Sequence, residues 1–494
     1  MTQDYAPVNF AACSTKRIAK LRLLKSAILA FIFCAAAISS RAQTYTTLFN
    51  FTGTTAGYNP SPLVQGFNGN FYGTTMSDGA NGAGTVFEIG ASGQEKTIYA
   101  FCSQSNCLDG KSPGAGLIQS TNGAFYGTTM WGGANGGGTI FKITPSGKLT
   151  TLYNFCSQAA CYDGATPEAA LLQTSSGNFY GTTYFGGKAG WGTVFKLSAA
   201  GVFTTLYNFC YLNECTGGFQ STAPLIQAGN GNLYGILSAG GDTGYGIIFQ
   251  MSPAGALTTL HTFCSQASCT DGGGPYGGLV QGSNGKLYGT TSVGGSHEAG
   301  TVFEITTDGK FTTLYNFCTS CTDGNTPYAG LVQATDGDFY GATSGGGSYG
   351  PDGAGTIFQI TPAGKLTTLY SYCGLYCDPE TSTTLIQSTN GAFYGATIQD
   401  YEAFAGTVYR LSMGLAPFVE TLPASAKVGA SVIILGNNLT GTTGVTFNGT
   451  PATFTVISST EIKTTVPAGA TTGTVQVTVP GDILNSNIAF RVIP

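Results

Sequence analysis

Short runs of β-branched and aromatic residues, separated by glycine-rich turns, recur along most of this chain. Within one unit, such runs lie at residues 170–173, 178–183, 192–197 and 203–209. The last two runs show partial alternation of apolar and polar side chains, which is typical of β-strands with one buried face. The first two runs, and the last two, are joined by the short glycine turns that antiparallel hairpins need. The pattern predicts a four-stranded antiparallel sheet, with strands A to D in chain order.

This four-strand unit occurs seven times. Its most regular marker is a Phe-Tyr-Gly or Leu-Tyr-Gly triplet in strand B, repeated every 54 residues and once after 52. The tyrosines of the triplets are Tyr72, Tyr126, Tyr180, Tyr234, Tyr288, Tyr340 and Tyr394. A helical solenoid would need a period of about 3.6 residues, which is absent, and a parallel β-helix usually has a shorter repeat. The units therefore predict an all-β fold, a seven-bladed β-propeller.

The two ends of the repeat array complement each other. Residues 44–51 have the pattern of a strand D with no strand A, B or C before it. The seventh unit has its strand C at residues 406–411, and residues 414–417 follow where its strand D is expected. We expect the leading strand to complete the last blade, because closing the ring removes an open sheet edge. The propeller should then span residues 43–413.

The first 42 residues differ from the rest of the chain. A basic stretch from Lys16 to Lys25 precedes an apolar run at residues 27–38, and small residues follow at Ser40 and Ala42. This order predicts an export signal over residues 1–42, whose apolar run is short for a membrane span. A retained membrane anchor is the alternative. After cleavage, 13 basic and 23 acidic residues remain without a basic cluster, so we expect a secreted chain that does not bind nucleic acid.

Twelve of the 14 cysteines form six close pairs, each at the same place in a repeat. The pairs are Cys102 with Cys107, Cys156 with Cys161, Cys210 with Cys215, Cys264 with Cys269, Cys318 with Cys321, and Cys373 with Cys377. In an exported chain this arrangement predicts six local disulfides. Metal binding is the alternative, but a structural zinc site needs a full set of Cys and His ligands, and the chain has only two histidines. We expect neither a metal nor another cofactor.

The repeats resemble a known bacterial family. The NGKLYGTT segment at residues 284–291, the glycine pair at 294–295 and the GTVF segment at 300–303 resemble the GloVer tandem repeat. The resemblance recurs in every unit and covers roughly residues 60–411. Because the family is known from exported proteins with varied surface anchors, the resemblance implies export but no particular activity.

Residues 417–494 resemble the IPT/TIG immunoglobulin-like domain. The segments that carry this resemblance are residues 428–429, 432–439, 445–452 and 466–473. Taken without the resemblance, they are short alternating strands with a turn about every 8–12 residues, as a β-sandwich requires. The resemblance implies a spacer, a packing partner or an adhesion domain. Some intracellular relatives bind DNA, which the acidic charge and the export signal argue against here.

Loop length separates the two faces of the expected propeller. The A–B and C–D turns are minimal, whereas the D–A loops carry the cysteine pairs and the B–C loops are long and glycine-rich. The D–A and B–C loops emerge together on what we call the loop face, where binding sites usually lie. Its candidate binding residues are Trp131, Tyr184, Trp191, Tyr245, Tyr276, Tyr328 and Tyr349. Exposed rings suit stacking on sugars or a protein hot spot; packing between blades is the alternative.

The sequence presents no convincing catalytic motif. His297 beside Glu298 is the only His–carboxylate pair, and no nucleophile motif accompanies it. Four Asp-Gly pairs in the D–A loops lack the oxygen spacing that calcium prefers, and predict turns in which Asp bonds its own backbone. We therefore predict a secreted, monomeric binding or structural protein, a platform for an extracellular carbohydrate or surface protein. A polysaccharide lyase or glycoside hydrolase stays open, because dispersed carboxylates can meet in space.

Overall fold

The computed structural model describes residues 43–210, 218–350, 353–372, 383–398 and 405–493. The expected export signal lies outside the described residues. Gln43–Pro494 forms one compact unit. Its described regular structure consists of β-strands and three short 3₁₀ turns at Ser105–Cys107, Ala159–Cys161 and Ala267–Cys269. The all-β prediction is confirmed, and no helix in this part of the chain has the length and apolar character to cross a membrane.

Between residues 44 and 412, the described strands form seven antiparallel sheets, each with its strands in the order A-B-C-D. We number these sheets blades 1 to 7 in chain order of their strands A. The A strands are Val64–Gln65, Ile118–Gln119, Leu172–Gln173, Ile226–Gln227, Val280–Gln281, Val332–Gln333 and Ile386–Gln387. The B strands are Phe71–Ser77, Phe125–Thr129, Phe179–Thr183, Leu233–Leu237, Leu287–Thr291, Phe339–Thr343 and Phe393–Thr397. The C strands are Thr85–Ile89, Thr139–Ile143, Thr193–Leu197, Ile247–Met251, Thr301–Ile305, Thr356–Ile360 and Thr407–Ser412. The D strands of blades 1 to 6 are Glu95–Ala100, Leu149–Asn154, Phe203–Asn208, Leu257–Thr262, Phe311–Asn316 and Leu366–Ser371.

Strand D of blade 7 comes from the other end of the array. Thr44–Asn50 pairs antiparallel with strand C of blade 7, with Thr44 opposite Ser412 and Asn50 opposite Thr407. The pairing continues past the strand, since the Phe51 amide donates to the Gly406 carbonyl at 2.9 Å. The predicted non-covalent closure is therefore present. Blade 1 carries one further short strand, Tyr58–Pro60, beside its strand B.

The aromatic triplet of strand B explains how neighbouring blades pack. Successive side chains of a strand point to opposite faces, so the Phe and the Tyr of a triplet face different neighbours. The Tyr72 ring lies 4.2 Å from the Phe125 ring of the next blade. The last blade repeats this contact with the first, where Tyr394 lies 3.9 Å from Phe71.

A buried apolar cluster lies at each of the seven blade junctions, including the junction of blades 7 and 1. Such rings bury a large area and favour the tilted contacts seen here. The core of the propeller is thus a circle of inter-blade layers.

Tight loops between blades depend on glycine at a few positions. Gly138 has φ +96°, and a Cβ there would lie 2.2 Å from the Thr129 carbonyl oxygen and 3.0 Å from Cδ of Pro167 in the next blade. A side chain at this position would therefore be strained and would push two blades apart. The B–C loop can approach its neighbour closely because the position is glycine.

The D–A and B–C loops meet on one face, as expected. Short bridges join the two kinds of loop within single blades. They pair Lys111 with Trp131, Ala165 with Phe185, and Asn325 with Gly345. The loop face is therefore a connected layer of backbone and not a set of separate loops.

Local disulfides lie within the D–A loops, as the cysteine spacing predicts. Four complete bridges join Cys102 to Cys107, Cys156 to Cys161, Cys264 to Cys269, and Cys318 to Cys321. Cys210 is also disulfide-bonded, but its expected partner Cys215 lies outside the described residues.

The sixth expected disulfide, between Cys373 and Cys377, is not among the described bridges. Cys373 lies outside the described residues, and so does Cys377. The pairing of Cys373 with Cys377 therefore stays a prediction, based on their place in the repeat.

The aspartates of the Asp-Gly pairs have a different role from the one expected. Asp109 does not cap its own turn; it is fully buried and accepts the amide hydrogens of Ser103 and Gln104, six and five residues earlier. The Tyr99 hydroxyl also donates to it, at 2.7 Å. A buried carboxylate needs such a set of donors. The aspartate therefore organises the whole D–A loop from within.

The C-terminal segment forms the expected β-sandwich. One sheet contains Glu420–Leu422, Ser431–Leu435, Glu461–Thr465 and Phe454–Val456, and the other contains Thr450–Pro451, Gly444–Phe447, Val475–Val479 and Asp482–Asn485. Ser425–Ala426 pairs in parallel with Arg491–Val492. Inward-facing apolar side chains, among them Ile434, Ile462 and Val477, form a separate buried core.

The sandwich contacts the propeller on its turn face, the face that carries the A–B turns. Asn437 Nδ2 donates to Oγ1 of Thr389 in blade 7 at 2.7 Å. Thr460 Oγ1 donates to the carbonyl of Phe67 in blade 1 at 2.7 Å. These contacts lie on the side of the propeller opposite to the loop face.

Candidate functional site

A cavity of about 290 Å³ lies at the axis of the propeller. Each of the seven blades contributes to its lining, through the residues that lead into its strand A. Because these residues end the D–A loops, the cavity begins at the loop face and forms the mouth of the central channel.

One position of the repeat varies around this mouth. In blades 2, 3, 5 and 6 it follows the proline that ends the D–A loop, and in blade 4 it follows a serine. The described residues that occupy it and line the cavity are Gly114, Glu168, Thr222, Tyr276 and Tyr328. The Leu three residues later is the same in all seven blades, from Leu63 to Leu385. Among the described residues, the variable position lines the cavity in blades 2 to 6, and the constant Leu lines it in blades 1, 2, 5 and 6.

Two of the candidate aromatic residues meet here. The rings of Tyr276 and Tyr328 lie 5.1 Å apart at an interplanar angle of 68°. They come from neighbouring blades, and they are 39% and 45% exposed. An edge-to-face pair of this kind is stable and still presents ring surface to the solvent. The two tyrosines therefore present an exposed apolar surface at the rim of the cavity.

Glu168 is the one acidic side chain among the described residues that line this cavity. Burial raises the pKa of Glu168 to about 7. Burial, and next the negative charge of Glu168, raise the pKa of Tyr184, while a hydrogen bond from Gln220 lowers it. Glu168, Tyr184 and Gln220 therefore form a polar edge beside the tyrosine pair.

The structure places the remaining candidate aromatic residues elsewhere on the loop face. Trp131, Trp191, Tyr245 and Tyr349 are exposed, between 40% and 61%, and they do not line the channel cavity. Trp191 contacts Phe219, with ring centroids 4.7 Å apart. Of the seven candidates, Tyr276 and Tyr328 line the channel cavity, and the partly buried Tyr184 lies outside this lining but close enough to interact with Glu168 and Tyr276.

Glu168 was missed at the sequence level, although the repeats contain a signal for it. Aligned on Leu171 and its counterparts, Glu168 is the only acid at the variable position. Within the described ranges, no group of three or more His, Cys, Asp or Glu side chains is arranged to hold a metal ion. The channel mouth thus offers aromatic surface, hydroxyl groups and one carboxyl group.

Comparison with known families separates the chain into two regions. The Gloeobacter/Verrucomicrobia repeat matches residues 36–222 and 210–409. The IPT/TIG domain matches residues 419–492. No curated protein matches the chain.

Several solved structures are similar to this chain at low sequence identity. A fungal alcohol oxidase of the AA5 family, solved in complex with copper, is 13% identical with a TM-score of 0.50, over 91% of this chain and 99% of that one. A putative 6-phosphogluconolactonase from Bacteroides fragilis is 16% identical with a TM-score of 0.42, over 72% and 88%. An auxiliary nutrient binding protein from Bacteroides ovatus is 13% identical with a TM-score of 0.41, over 75% and 76%. The similarity to the oxidase supports the propeller fold, but a shared fold says nothing about the activity of this chain.

Proposed function

The chain belongs to the Gloeobacter/Verrucomicrobia repeat family and carries a C-terminal IPT/TIG domain, and from this premise we propose that it is a secreted carbohydrate-binding protein. The ligand binds at the mouth of the central channel. The observation that carries the proposal is the exposed pair Tyr276 and Tyr328 at the rim of the channel cavity. Secretion is supported by the signal-like residues 1–42 and by the local disulfides, which persist in oxidising compartments.

The chemistry of the rim favours a neutral, hydroxyl-rich ligand. The apolar face of a sugar ring stacks on an aromatic side chain, and nearby polar groups fix its orientation. Thr222 supplies a hydroxyl group, and Glu168 supplies a carboxyl group that keeps its proton up to about pH 7. None of the described lining residues is basic, so the site is poorly suited to an anion.

An enzyme on the same site is the second candidate. Glu168 has the raised pKa of a general acid and lies beside Tyr184. A glycoside hydrolase needs a second carboxyl group within roughly 5–10 Å. The described lining supplies only Glu168, which favours binding over hydrolysis.

The test is a glycan-array and polysaccharide pull-down screen with the full chain, its variant Y276A/Y328A and the control Y245A. Tyr245 is equally exposed on the loop face but does not line the cavity. We expect the double variant to lose at least about tenfold in affinity, since stacked rings dominate such sites, and the control to bind as the native protein does.

Three outcomes would contradict the proposal. The first is that no glycan binds the folded native protein. The second is that the double variant binds as well as the control. The third is shortening of the polymer during incubation, which would replace binding by the enzymatic candidate.

A further inference from the structure

A second cavity, of about 510 Å³, lies where the sandwich meets the turn face of blades 2 to 4. Its propeller wall comes from the A strands of those blades and the turns that follow, and its other wall comes from residues 420–426 and 430–431 of the sandwich. We call it the interdomain cleft. It is larger than the channel cavity and lies on the opposite side of the propeller.

The cleft coincides with a break in an otherwise regular set of hydrogen bonds. Strand A of every blade ends in Gln, and at most junctions this Gln ties its blade to the preceding one. The Phe67 amide donates to Gln119 Oε1 at 3.0 Å, and the Ser283 amide donates to Gln333 Oε1 at 2.8 Å. The junctions of blades 4 and 5, 6 and 7, and 7 and 1 have the same bond.

The two junctions without this bond are the two that face the cleft. In the described part of the chain, the side chain of Gln173 makes no hydrogen bond, and Gln227 uses only its Nε2, which donates to the Gly231 carbonyl. Both glutamines line the cleft. Among the described blades, these are the only two positions where the strand A glutamine does not accept a hydrogen bond from the preceding blade. The amide oxygens of Gln173 and Gln227 are therefore available to a ligand.

The sandwich contributes a carboxyl group to the same cleft. Glu420 lines it, and no described side chain forms an ion pair or a hydrogen bond with the Glu420 carboxyl group. Burial raises the pKa of Glu420, as expected for a carboxylate without a counter-charge. The adjacent Thr421 is 3% exposed, and its Oγ1 has no hydrogen-bond partner in the described structure.

The unused groups are mainly acceptors. A carboxylate and an amide oxygen accept hydrogen bonds, and hydroxyl groups of Thr121, Ser175 and Ser431 add further acceptors. None of the described lining residues is basic, and the chain has a net negative charge. Such a set is complementary to a donor-rich cation, because an ammonium group has three donors and a guanidinium group five.

We propose that the interdomain cleft binds an organic cation, a ligand with an ammonium or guanidinium group that pairs with Glu420 and donates to Gln173 and Gln227. Binding would link the sandwich to blades 3 and 4 through a shared ligand. The site is separate from the channel mouth and does not depend on the carbohydrate proposal.

The test is isothermal titration of the full chain with agmatine, which carries both cationic groups, and with glycerol as an uncharged comparator. We expect saturable binding of agmatine alone. The affinity should fall at least about tenfold in E420Q, because a charge-assisted pair is lost, and should weaken at high ionic strength. The control E461Q makes the same chemical change on another strand of the same sheet, where the Glu461 carboxylate lies 3.8 Å from Lys463 Nζ, and should bind normally.

A second variant tests the site independently, in case the E420Q substitution disturbs folding. Q173A/Q227A removes both open amides and leaves Glu420 in place, and we expect its affinity for agmatine to fall at least about threefold. The proposal is overturned if the folded native chain does not bind agmatine, if glycerol binds equally well, or if E420Q and Q173A/Q227A both keep the native affinity.

Discussion

At the scale of single residues, a repeated Tyr–Asp contact holds the D–A loops. The hydroxyls of Tyr99, Tyr153 and Tyr315 each donate to an aspartate of the following loop at 2.7 Å. In blade 4 the tyrosine is replaced by His261, whose Nε2 lies 3.2 Å from Asp271 Oδ2 without the angles of a hydrogen bond. Its ring instead stacks on Phe311 at 3.9 Å.

Burial lowers the pKa of His261 below its usual 6.5, and the opposing charge of Asp271 only partly offsets this. The unfolded chain therefore takes up a proton first as the pH falls, so stability is lost below about pH 6.5. We expect H261Y to remove this loss and to add a hydrogen bond worth about 1 kcal/mol. Urea unfolding at pH 8 and pH 5 measures both effects.

The difference in the free energy of unfolding between H261Y and the native protein should be larger at pH 5 than at pH 8. Y315H provides the matched control, since it places histidine opposite Asp323 and should create a similar loss at low pH. Equal slopes of stability against pH in all three proteins would contradict the argument.

Glu168 should change stability with pH in the opposite direction to His261. Its pKa of about 7 in the folded chain lies above the ordinary 4.5, so the folded state holds the proton more tightly. The stabilising effect is present below pH 4.5 and is lost as the pH rises through 7. We expect E168Q to match the native free energy of unfolding at pH 4.5 and to exceed it by about 1–2 kcal/mol at pH 8, allowing for partial exposure.

The pH dependence of E168Q is read from denaturant unfolding at the two pH values, and D242N, at an exposed acid of a B–C loop, is the comparison. A gain from E168Q that is equal at both pH values would show that Glu168 does not titrate in this range.

At the scale of elements, the strand A glutamine acts as a clasp between blades. At the junction of blades 7 and 1, the Thr389 amide donates to Gln65 Oε1 at 3.0 Å, and Gln65 Nε2 donates to Thr389 Oγ1 at 3.2 Å. The junction of blades 7 and 1 therefore uses the same bond as four other junctions, whereas the non-covalent seam of the ring lies inside blade 7, between its strands C and D.

We expect Q65A to lower the free energy of unfolding by about 1–2 kcal/mol, because it leaves a buried amide without its acceptor. Q173A is the matched control: the same residue type at the same position makes no clasp, and we expect a change within about 0.5 kcal/mol. Chemical denaturation of the oxidised proteins compares them. A similar loss in both variants would assign the effect to strand A itself.

At the scale of the whole molecule, the N-terminal strand completes the ring. Tyr45 stacks on Tyr370 of blade 6 at 4.0 Å, and Phe51 is fully buried at the junction of blades 7 and 1. Without this segment, strand C of blade 7 becomes an exposed edge that can pair with another chain.

We expect deletion of residues 43–51 to cost at least about 3 kcal/mol, the scale for removing one buried aromatic side chain, and to cause self-association. Light scattering and thermal unfolding measure the two effects, and a synthetic peptide of residues 43–51 added in trans should reverse them. A stable monomer after the deletion would contradict the non-covalent closure.

Much of the fold could be predicted because each blade repeats the same local sequence pattern. The triplet at Tyr72 and its counterparts places one ring toward each neighbour, and the incomplete ends of the array predict their own pairing. The IPT/TIG segment and the described disulfides between close cysteines follow from equally local patterns. Such features depend on residues near one another in the chain, or on a period that the chain itself displays.

The channel mouth and the interdomain cleft depend on contacts that the sequence repeat does not determine. A repeat assigns Glu168, Tyr276 and Tyr328 the same place in three blades, but only the closed ring brings the three side chains to one cavity. Likewise, Gln173 and Gln227 look like every other strand A glutamine, and only the docking of the sandwich distinguishes them. The sequence by itself determined the strands, the repeat and its closure, because these follow from local side-chain alternation. The tertiary structure alone decided which variable residues meet, because the ring and the sandwich juxtapose segments that are far apart in the chain.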